Sequence, residues 1–570
     1  MSALHLTRRE VLEMALVLAS AVTVSGGQTA LAGPIPGPNP DQFPARGTLT
    51  LLHLTDCHGQ LLPLYAREPE TNPGVGSLRG KPPHLTNAAL LAWAGIPPGG
   101  VEAYLCTAPN NFGRMALEFG PVGGFAHLAT LVQRIREERG AGNVLLLDGG
   151  DSWQGSYGAL VTQGREMIRA CKQLGVEAMV PHWELTHGAD VVRKQAERLP
   201  FQFLAHNIQD SERNEAVFKP FHLFEKGGTL VAVIGQAYPH LAAVHPRRFF
   251  AKWRMGIQEK ELQEQVEAVR VKGARVVVVL SHNGMDVDLQ LASRVTGIDV
   301  ILGGHSHDVV PKPIVVDNST GKTLVINSGS NGKFLSRLDL ELGKQGLTDW
   351  AYRLLPVWAR RLPPDPAMDA LITEMRSPYH TTLAAAVGQS DSLLYRRSQF
   401  NGTFDDLICQ ALMARLDAPI AFSPGYRWGT TLLPGQEITM EAIYNQTAIT
   451  YPQVYRRSMT GIQIKSFLEE AADAVFNPDP YQRQGEEMVR VGGLQFWIDP
   501  DAAMGRRVHS LTLANGRVLE PERAYQVAGW ASLEEVEGQP VWEVVRDHVK
   551  DKKVIRVEPS QAIQMAVKKS

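Results

Sequence analysis

The chain reads as an α/β protein in two parts, a layered N-terminal domain followed by a smaller α+β unit. Three observations predict this. From Gly47 to about Leu342, short β-branched or Leu-rich runs alternate with amphipathic stretches of helix length. After Asp349 the composition shifts to turn-rich segments, and a Pro-rich stretch, LLPVWARRLPPDPAM (354–368), lies between the two halves.

Each element has its own signature. The runs TLTLLHLT (48–55), NVLLLDGG (143–150), TLVAVIGQ (229–236), RVVVVLSH (275–282), DVILGG (299–304) and TLVINSGS (323–330) read as buried strands. Between them, FAHLATLVQRIREERG (125–140) and IQEKELQEQVEAVRVKG (257–273) carry apolar residues near helical spacing and stop at Gly. Segment 60–124 is rich in Pro and Gly with little periodicity, and reads as a long insertion near the first strand. A connecting helix is expected from about Pro366 to Ala386, with further helices near 403–416 and 460–476. The division is then 47–350 for a catalytic domain, 351–386 for a linker and connecting helix, and 387–570 for a C-terminal substrate-binding domain.

The N-terminus has the parts of an export signal. Thr7-Arg8-Arg9 precedes the apolar stretch MALVLASAVTV (14–24) and the small residues Ala30-Leu31-Ala32. The apolar run is too short to span a membrane, which takes about 20 residues. Paired arginines resemble a twin-arginine signal, with an ordinary secretory signal as the other reading. Residues 1–32 are therefore read as signal and 33–46, which includes GPIPGPNP, as a stiff leader. The mature protein should lie outside the cytoplasm, in the periplasm.

Among 570 residues, 44% are hydrophobic and 20% charged, enough for more than one core. The net charge is −2 and the body of the chain has no long basic run, so neither nucleic acid nor a membrane surface is expected as a partner. Cysteines 57, 106, 171 and 409 form no CxxC pair, which excludes a zinc ribbon or a thioredoxin-like motif. One or two disulfides stay open in an oxidising compartment. Cys57 reads as a small packed thiol pointing away from its neighbours.

The chemistry is carried by polar residues at the ends of four apolar runs. These give Asp56 and His58, then Asp151, then His282, then His305 and His307. Sites in open α/β sheets form at the carboxyl ends of strands, so these groups should gather at one sheet edge. In Asp56-x-His58 and His305-x-His307, side chains two apart on extended backbone share a face and can reach one ion. The flanking glycines (149–150 and 303–304) permit close approach of backbone to an ion. With His182 the set numbers seven, too many for one ion with an open position. It fits two ions bridged by a carboxylate, naturally Asp151. Mixed imidazole and carboxylate donors suit manganese, iron or zinc rather than calcium or magnesium.

The pattern DxH…GD…GHxH, with a lone strand-end His between the last two, resembles the calcineurin-like metallophosphatases. The second domain narrows the resemblance to the 5′-nucleotidase family. This resemblance implies a four-layer αββα sandwich for the N-terminal domain. It implies one ion on Asp56, His58 and His307, a second on His182, His282 and His305, and Asp151 between them. Where nucleotidases carry Gly-Asn-His-Glu, this chain has Pro181-His182-Trp183-Glu184-Leu185-Thr186-His187-Gly188. The Asn ligand is replaced by His182 and the general-acid His by Trp183, whose indole N–H only donates. A phosphomonoesterase benefits from a general acid by roughly 10²–10⁴-fold. A site lacking one suits a leaving group stable as an anion, unless His187 or another residue supplies the proton.

The wording HWELTHG, SHNGMDVDLQLASRVTGIDVILGGHSHD, GGFAHLATLV, NSGSNGKFL, FSPGYRWGTTLLPGQEITME and MVRVGGLQF resembles the thiosulfohydrolases of the bacterial Sox sulfur-oxidation system. That implies a dimanganese hydrolase acting on the cysteine S-thiosulfonate of the Sox carrier protein, releasing sulfate and leaving a persulfide. It further implies Arg427 as a grip on the sulfonate, His206 and Asn207 as substrate contacts, and Trp183 as a wall of the approach or a packed core residue. Two other readings stay open. One is a periplasmic 5′-nucleotidase or sugar-nucleotide phosphohydrolase, with stacking aromatics and a working acid. The other is a non-catalytic metal-binding partner of a periplasmic complex.

Overall fold

The computed structural model describes residues 43–566 except Gln345 and Glu486. The expected export signal and most of the leader lie outside the described residues. From Pro44 onward the chain forms one compact unit, within which two lobes are distinguishable. No helix among the described residues is long and apolar enough to cross a membrane.

The first lobe is built on two six-stranded sheets. One runs Gly346–Pro356, Phe334–Gly343, Leu49–Leu54, Val144–Asp148, Ala178–Met179, Gln202–Phe203 in spatial order. The other runs Ile314–Asn318, Gly321–Asn327, Val300–Gly303, Val276–Ser281, Thr229–Gln236, Phe221–Lys226. Period-two alternation decides the layering. Leu49, Leu51, Leu145 and Leu147 of the first sheet share one buried core with Val231, Val233, Val276, Val278 and Val300 of the second. The intervening residues face outward under helices: Leu52 and Leu146 pack with Phe125–Arg139 and Arg165–Leu174, while Val277 and Ile301 pack with Glu259–Val271 and Met285–Arg294. The result is the αββα sandwich.

Each apolar run read as a strand is one. The hairpin Phe334–Gly343/Gly346–Pro356 is the exception to the expected division, because it carries the first sheet six residues past position 350. Its second strand is an edge whose residues are mostly half-exposed, so no apolar run marks it. The connecting helix also differs. It runs Pro366–Arg376, with Asp365 accepting from the Met368 N–H at 2.8 Å, and breaks at Ser377–Tyr379 before resuming at His380–Ala384. Pro378 lacks the N–H a continuous helix needs there. Segment 60–124 is no loose insertion. Its helices Asn87–Ala94, Val101–Cys106 and Phe112–Phe119 cover a core of their own around Tyr104, Phe112 and Phe119.

The second lobe pairs Val454–Thr460, Ala524–Trp530, Ile420–Ser423 and Arg490–Gly492 in a four-stranded sheet, flanked by helices Thr403–Arg415, Gly461–Val475 and Val541–Lys552. A buried chain of charges binds it to the first lobe. Lys333 pairs with Glu68, and Arg397 lies 3.7 Å from Glu68 and 2.9 Å from Glu487. Glu487 pairs with Arg490, and Asp405 accepts from Arg396 at 2.8 Å with Arg490 at 3.2 Å. Arg397 also donates to the carbonyls of Ser306 and His307 at 3.1 and 3.3 Å. All four cysteines are buried free thiols, so the disulfides left open above do not form.

Candidate metal centre

The seven predicted donors come together as two buried clusters, Asp56/His58/His307 and Asp151/His182/His282/His305. His307 Nε2 lies 3.2 Å from Asp56 Oδ1 and 3.0 Å from His58 Nε2. Asp151 Oδ2 lies 2.9 Å from His182 Nδ1, 3.1 Å from His282 Nε2 and 4.0 Å from His58 Nε2, between the two clusters as a bridging carboxylate must be.

The way the backbone achieves this is not the expected one. The strands end at Leu54 and Gly303, and Asp56, His58, His305 and His307 have φ of 51°, 47°, 70° and 57°. Asp151 has φ 55°. These are left-handed conformations that cost non-glycine residues on the order of 1–3 kcal/mol each. Side chains two apart therefore converge through a turn of the chain after the strand, not through the pleat of extended backbone. The neighbouring glycines are packed against protein atoms: a Cβ at Gly150 would stand 2.4 Å from the Val180 oxygen, and one at Gly304 would stand 2.5 Å from Thr55 Oγ1.

Metal ions fit this set. None of the seven side chains exceeds 8% exposure, and the wholly buried His282 Nε2 is turned toward the Asp151 carboxylate at 3.1 Å. Burial alone would raise the Asp56 carboxyl, yet His307 and His282 hold it at about 2. Asp151 is likewise driven well below its usual range by His182 and His282 despite its burial. Burial works to lower His282, but Asp151 and Asp56 outweigh it and raise the imidazole to about 10. Both carboxylates are thus ionised and preset for a cation.

Surrounding groups hold the donors in place. Glu184 accepts from the backbone N–H groups of Ser152 and His182, both at 2.8 Å, tying the Asp151 turn to His182. The His282 Nδ1 position is bonded to the Gly149 carbonyl at 2.5 Å. The Trp183 N–H donates to Asp151 Oδ1 at 2.8 Å.

The clusters open into a cavity of about 480 Å³ between the lobes, lined on the far side by Tyr426, Arg427, Trp428 and Trp530. Arg427 Nη2 sits 3.0 Å from His305 Nε2, so this side chain does reach the centre. Trp183 lines the cavity and is also packed into the core of the second lobe with Trp428 and Tyr451, so both alternatives hold for it. His206 and Asn207 do not line the cavity. His206 is bonded to Gln236, and the Asn207 amide bridges Ala237 and Gly256, because the segment serves to clamp the end of the Thr229–Gln236 strand. His187 faces the Trp153 carbonyl at 3.5 Å and is also outside the cavity lining.

Sequence reasoning missed His245, Tyr451 and Gln154. His245 Nε2 is 3.1 Å from His182 Nε2, and its Nδ1 is 2.9 Å from the Tyr451 hydroxyl. Gln154 Oε1 is 3.2 Å from His58 Nδ1. His245 follows the short helix Leu241–Val244 and not a strand, and Tyr451 and Gln154 lie in loops, so none stands at the end of an apolar strand.

Residues 385–539 match the model of the 5′-nucleotidase C-terminal domain family. A solved structure titled as the sulfate thiohydrolase SoxB of Thermus thermophilus in complex with glycerol superimposes with a TM-score of 0.88 at 36% identity, over 92% of this chain and 97% of that one. A 5′-nucleotidase precursor, also from Thermus thermophilus, shares the fold, with TM-score 0.71 and 21% identity over 91% of this chain and 99% of that one. By sequence, bovine 5′-nucleotidase is 26% identical over 323 residues, 51% of this chain and 54% of that protein, so the chain spans about half the length of that relative. UshA of Yersinia enterocolitica is 24% identical over 458 residues, 71% of this chain and 80% of that protein.

Proposed function

Because the chain belongs to the family of the SoxB sulfate thiohydrolases, within the 5′-nucleotidase family, we propose that it hydrolyses cysteine S-thiosulfonate on a Sox carrier protein, releasing sulfate. The observation that carries this reading is Trp183 at the position where a phosphatase has its acid. Its backbone N–H is bonded to Asp151 and its ring lines the cavity, where an indole N–H serves only as a hydrogen-bond donor. Expulsion of a persulfide asks for little protonation; expulsion of an alkoxide asks for much.

Asp56, His58 and His307 would hold one ion and His182, His282 and His305 the other, with Asp151 shared. Manganese is the proposed metal, and zinc or iron suits the same donors. Two such ions supply Lewis acidity and hydroxide at neutral pH. The chain's own groups do the rest. Arg427 approaches from the second lobe and its planar guanidinium can grip two sulfonate oxygens. Trp183, Tyr426 and Trp428 wall the cavity with aromatic surface beside the donors. Place of action follows from the substrate and the twin-arginine-like N-terminus: the periplasm.

The nucleotidase alternative asks for stacking aromatics with room for a base. Tyr426 and Trp428 already stack on each other with centroids 4.3 Å apart, so that pair cannot clamp a base between its rings. Retention of the whole donor set speaks against a non-catalytic binding partner. The test is sulfate release from thiosulfonated carrier by metal-loaded protein, with Asp151→Asn as control. Turnover of a chromogenic phosphate ester at a comparable rate, with no sulfate release, would overturn the reading.

A further inference from the structure

One segment of the second lobe, residues 448–451, is bonded to both metal clusters of the first. From one cluster, His58 Nδ1 is 3.2 Å from Gln154 Oε1, and Gln154 Nε2 donates to the Ala448 carbonyl at 3.1 Å. From the other, His182 Nε2 is 3.1 Å from His245 Nε2, and His245 Nδ1 is 2.9 Å from the Tyr451 hydroxyl. Every link is buried: Gln154 2%, His245 3%, Ala448 0% and Tyr451 2% exposed.

We propose that Gln154 and His245 are positioning residues that tie each metal position to this segment, making the second lobe part of the metal site as well as a wall of the cavity. The inference rests on the dinuclear reading above. A neutral imidazole has one donating and one accepting nitrogen. His182 presents Nδ1 to Asp151, so with Nδ1 engaged by an ion its Nε2–H must donate outward, to His245 Nε2. His245 then carries its hydrogen on Nδ1 and donates it to Tyr451. His58 presents Nε2 to its cluster, so its Nδ1–H donates to the Gln154 carbonyl oxygen, and the Gln154 amide donates onward to Ala448. Both chains run in a single consistent sense from ligand to second lobe. Tyr451 passes the first one further, with its hydroxyl 3.2 Å from that of Tyr426 in the cavity wall.

Partners of this kind set the ring orientation and basicity of a metal-binding histidine, and their loss costs about 10- to 100-fold in metal affinity. The effect should be specific to one position. His245→Leu and Tyr451→Phe should weaken the ion at Asp151/His182/His282/His305 and spare the other, whereas Gln154→Leu should do the reverse. His245→Gln, which keeps an acceptor and a donor, should restore binding toward wild type.

The experiment is a manganese titration of the full chain against a competing chelator, with anomalous diffraction from loaded crystals to locate the weakened ion. Loss of about 10-fold or more at the assigned position, with the other unchanged, supports the proposal. Wild-type affinity at both positions in His245→Leu and Gln154→Leu, or equal weakening of both, overturns it. Should His245→Leu fail to fold, Tyr451→Phe decides, since it removes one oxygen. Wild-type protein that binds fewer than two ions overturns the dinuclear reading itself, which a two-ion wild type with indifferent variants does not.

Discussion

Replacing Asp405 with asparagine removes one negative charge from a place where two guanidiniums depend on it. Asp405 is wholly buried, accepts from Arg396 Nε at 2.8 Å, lies 3.2 Å from Arg490 Nε, and accepts from the Gly402 N–H at 3.1 Å to cap the helix Thr403–Arg415. Asparagine keeps an acceptor for the cap and for Arg396 but no charge. At an effective dielectric near 20, each charge pair at such range is worth about 4 kcal/mol. Arg490 retains Glu487 and Arg396 retains the Gln446 and Pro424 carbonyls, which offset part of the loss. The net expectation is about 3–5 kcal/mol of lost stability, the range for breaking a buried pair by removing one partner. With an unfolding entropy of about 2.1 cal/mol/K per residue over a single unit of this size, the melting temperature should fall by about 3–5 °C, measured by calorimetry on the full chain. Because Arg396 also holds the Pro424 carbonyl beside Arg427, KM for sulfate release should rise. A variant that melts within a degree of wild type would refute the claim that these charges are mutually dependent.

Other outcomes are expected from the same geometry. Arg427→Lys should raise KM about 10-fold or more, since hydrogen bonds to a charged group are worth about 1.5–3 kcal/mol and the planar fork is lost; an unchanged KM removes Arg427 from the sulfonate. Trp183→Phe should keep kcat within about an order of magnitude, far less than the 10²–10⁴-fold of a lost general acid, as steady-state sulfate release will show. Burial lowers the His206 imidazole from 6.5 to about 4, against the opposing pull of Gln236. A depressed folded value means that stability is fully present above pH 6.5 and is lost as pH falls toward 4, by up to about 3 kcal/mol at 1.36 per unit; denaturation profiles of His206→Gln should be flatter across that window. Stripping metal with a chelator should lower the melting temperature, and added manganese should restore it in proportion to the logarithm of its concentration.

Much of the fold was legible because inner strands such as Val144–Asp148 and Val276–Ser281 are buried on both faces and read as unbroken apolar runs. The edge strand Gly346–Pro356 was not, since one side meets solvent and Asp349 and Arg353 break the run. The donors were legible for the same reason as the strands: polar residues at the end of an apolar run stand out. The left-handed turns that aim them were not, because Asp and His, though enriched among positive-φ residues, adopt extended or helical backbone far more often. His245 and Tyr451 were invisible for a different reason. Their significance comes from a contact between residues 206 positions apart, which no local pattern encodes. His206 and Asn207 also follow an apolar run, yet they are bonded to Gln236, Ala237 and Gly256 and stand outside the cavity lining.

The buried charges that cross between the lobes have a kinetic consequence. Swinging the second lobe aside would strip Arg397 from the Ser306 and His307 carbonyls, part it from Glu68, and separate Thr431 from the Tyr65 carbonyl at 2.7 Å. Opening would exchange these ties for water and for the partners that move with each side, Glu487 with Arg397 and Lys333 with Glu68. The swing is therefore opposed by several hydrogen bonds to charged groups, worth about 1.5–3 kcal/mol each. With the lobes held together in this way, the donor clusters are reached through the cavity between them. On the proposed reaction, substrate and sulfate would use that cavity in turn, and a covalent link between the lobes away from it should leave the rate of the cycle as it was.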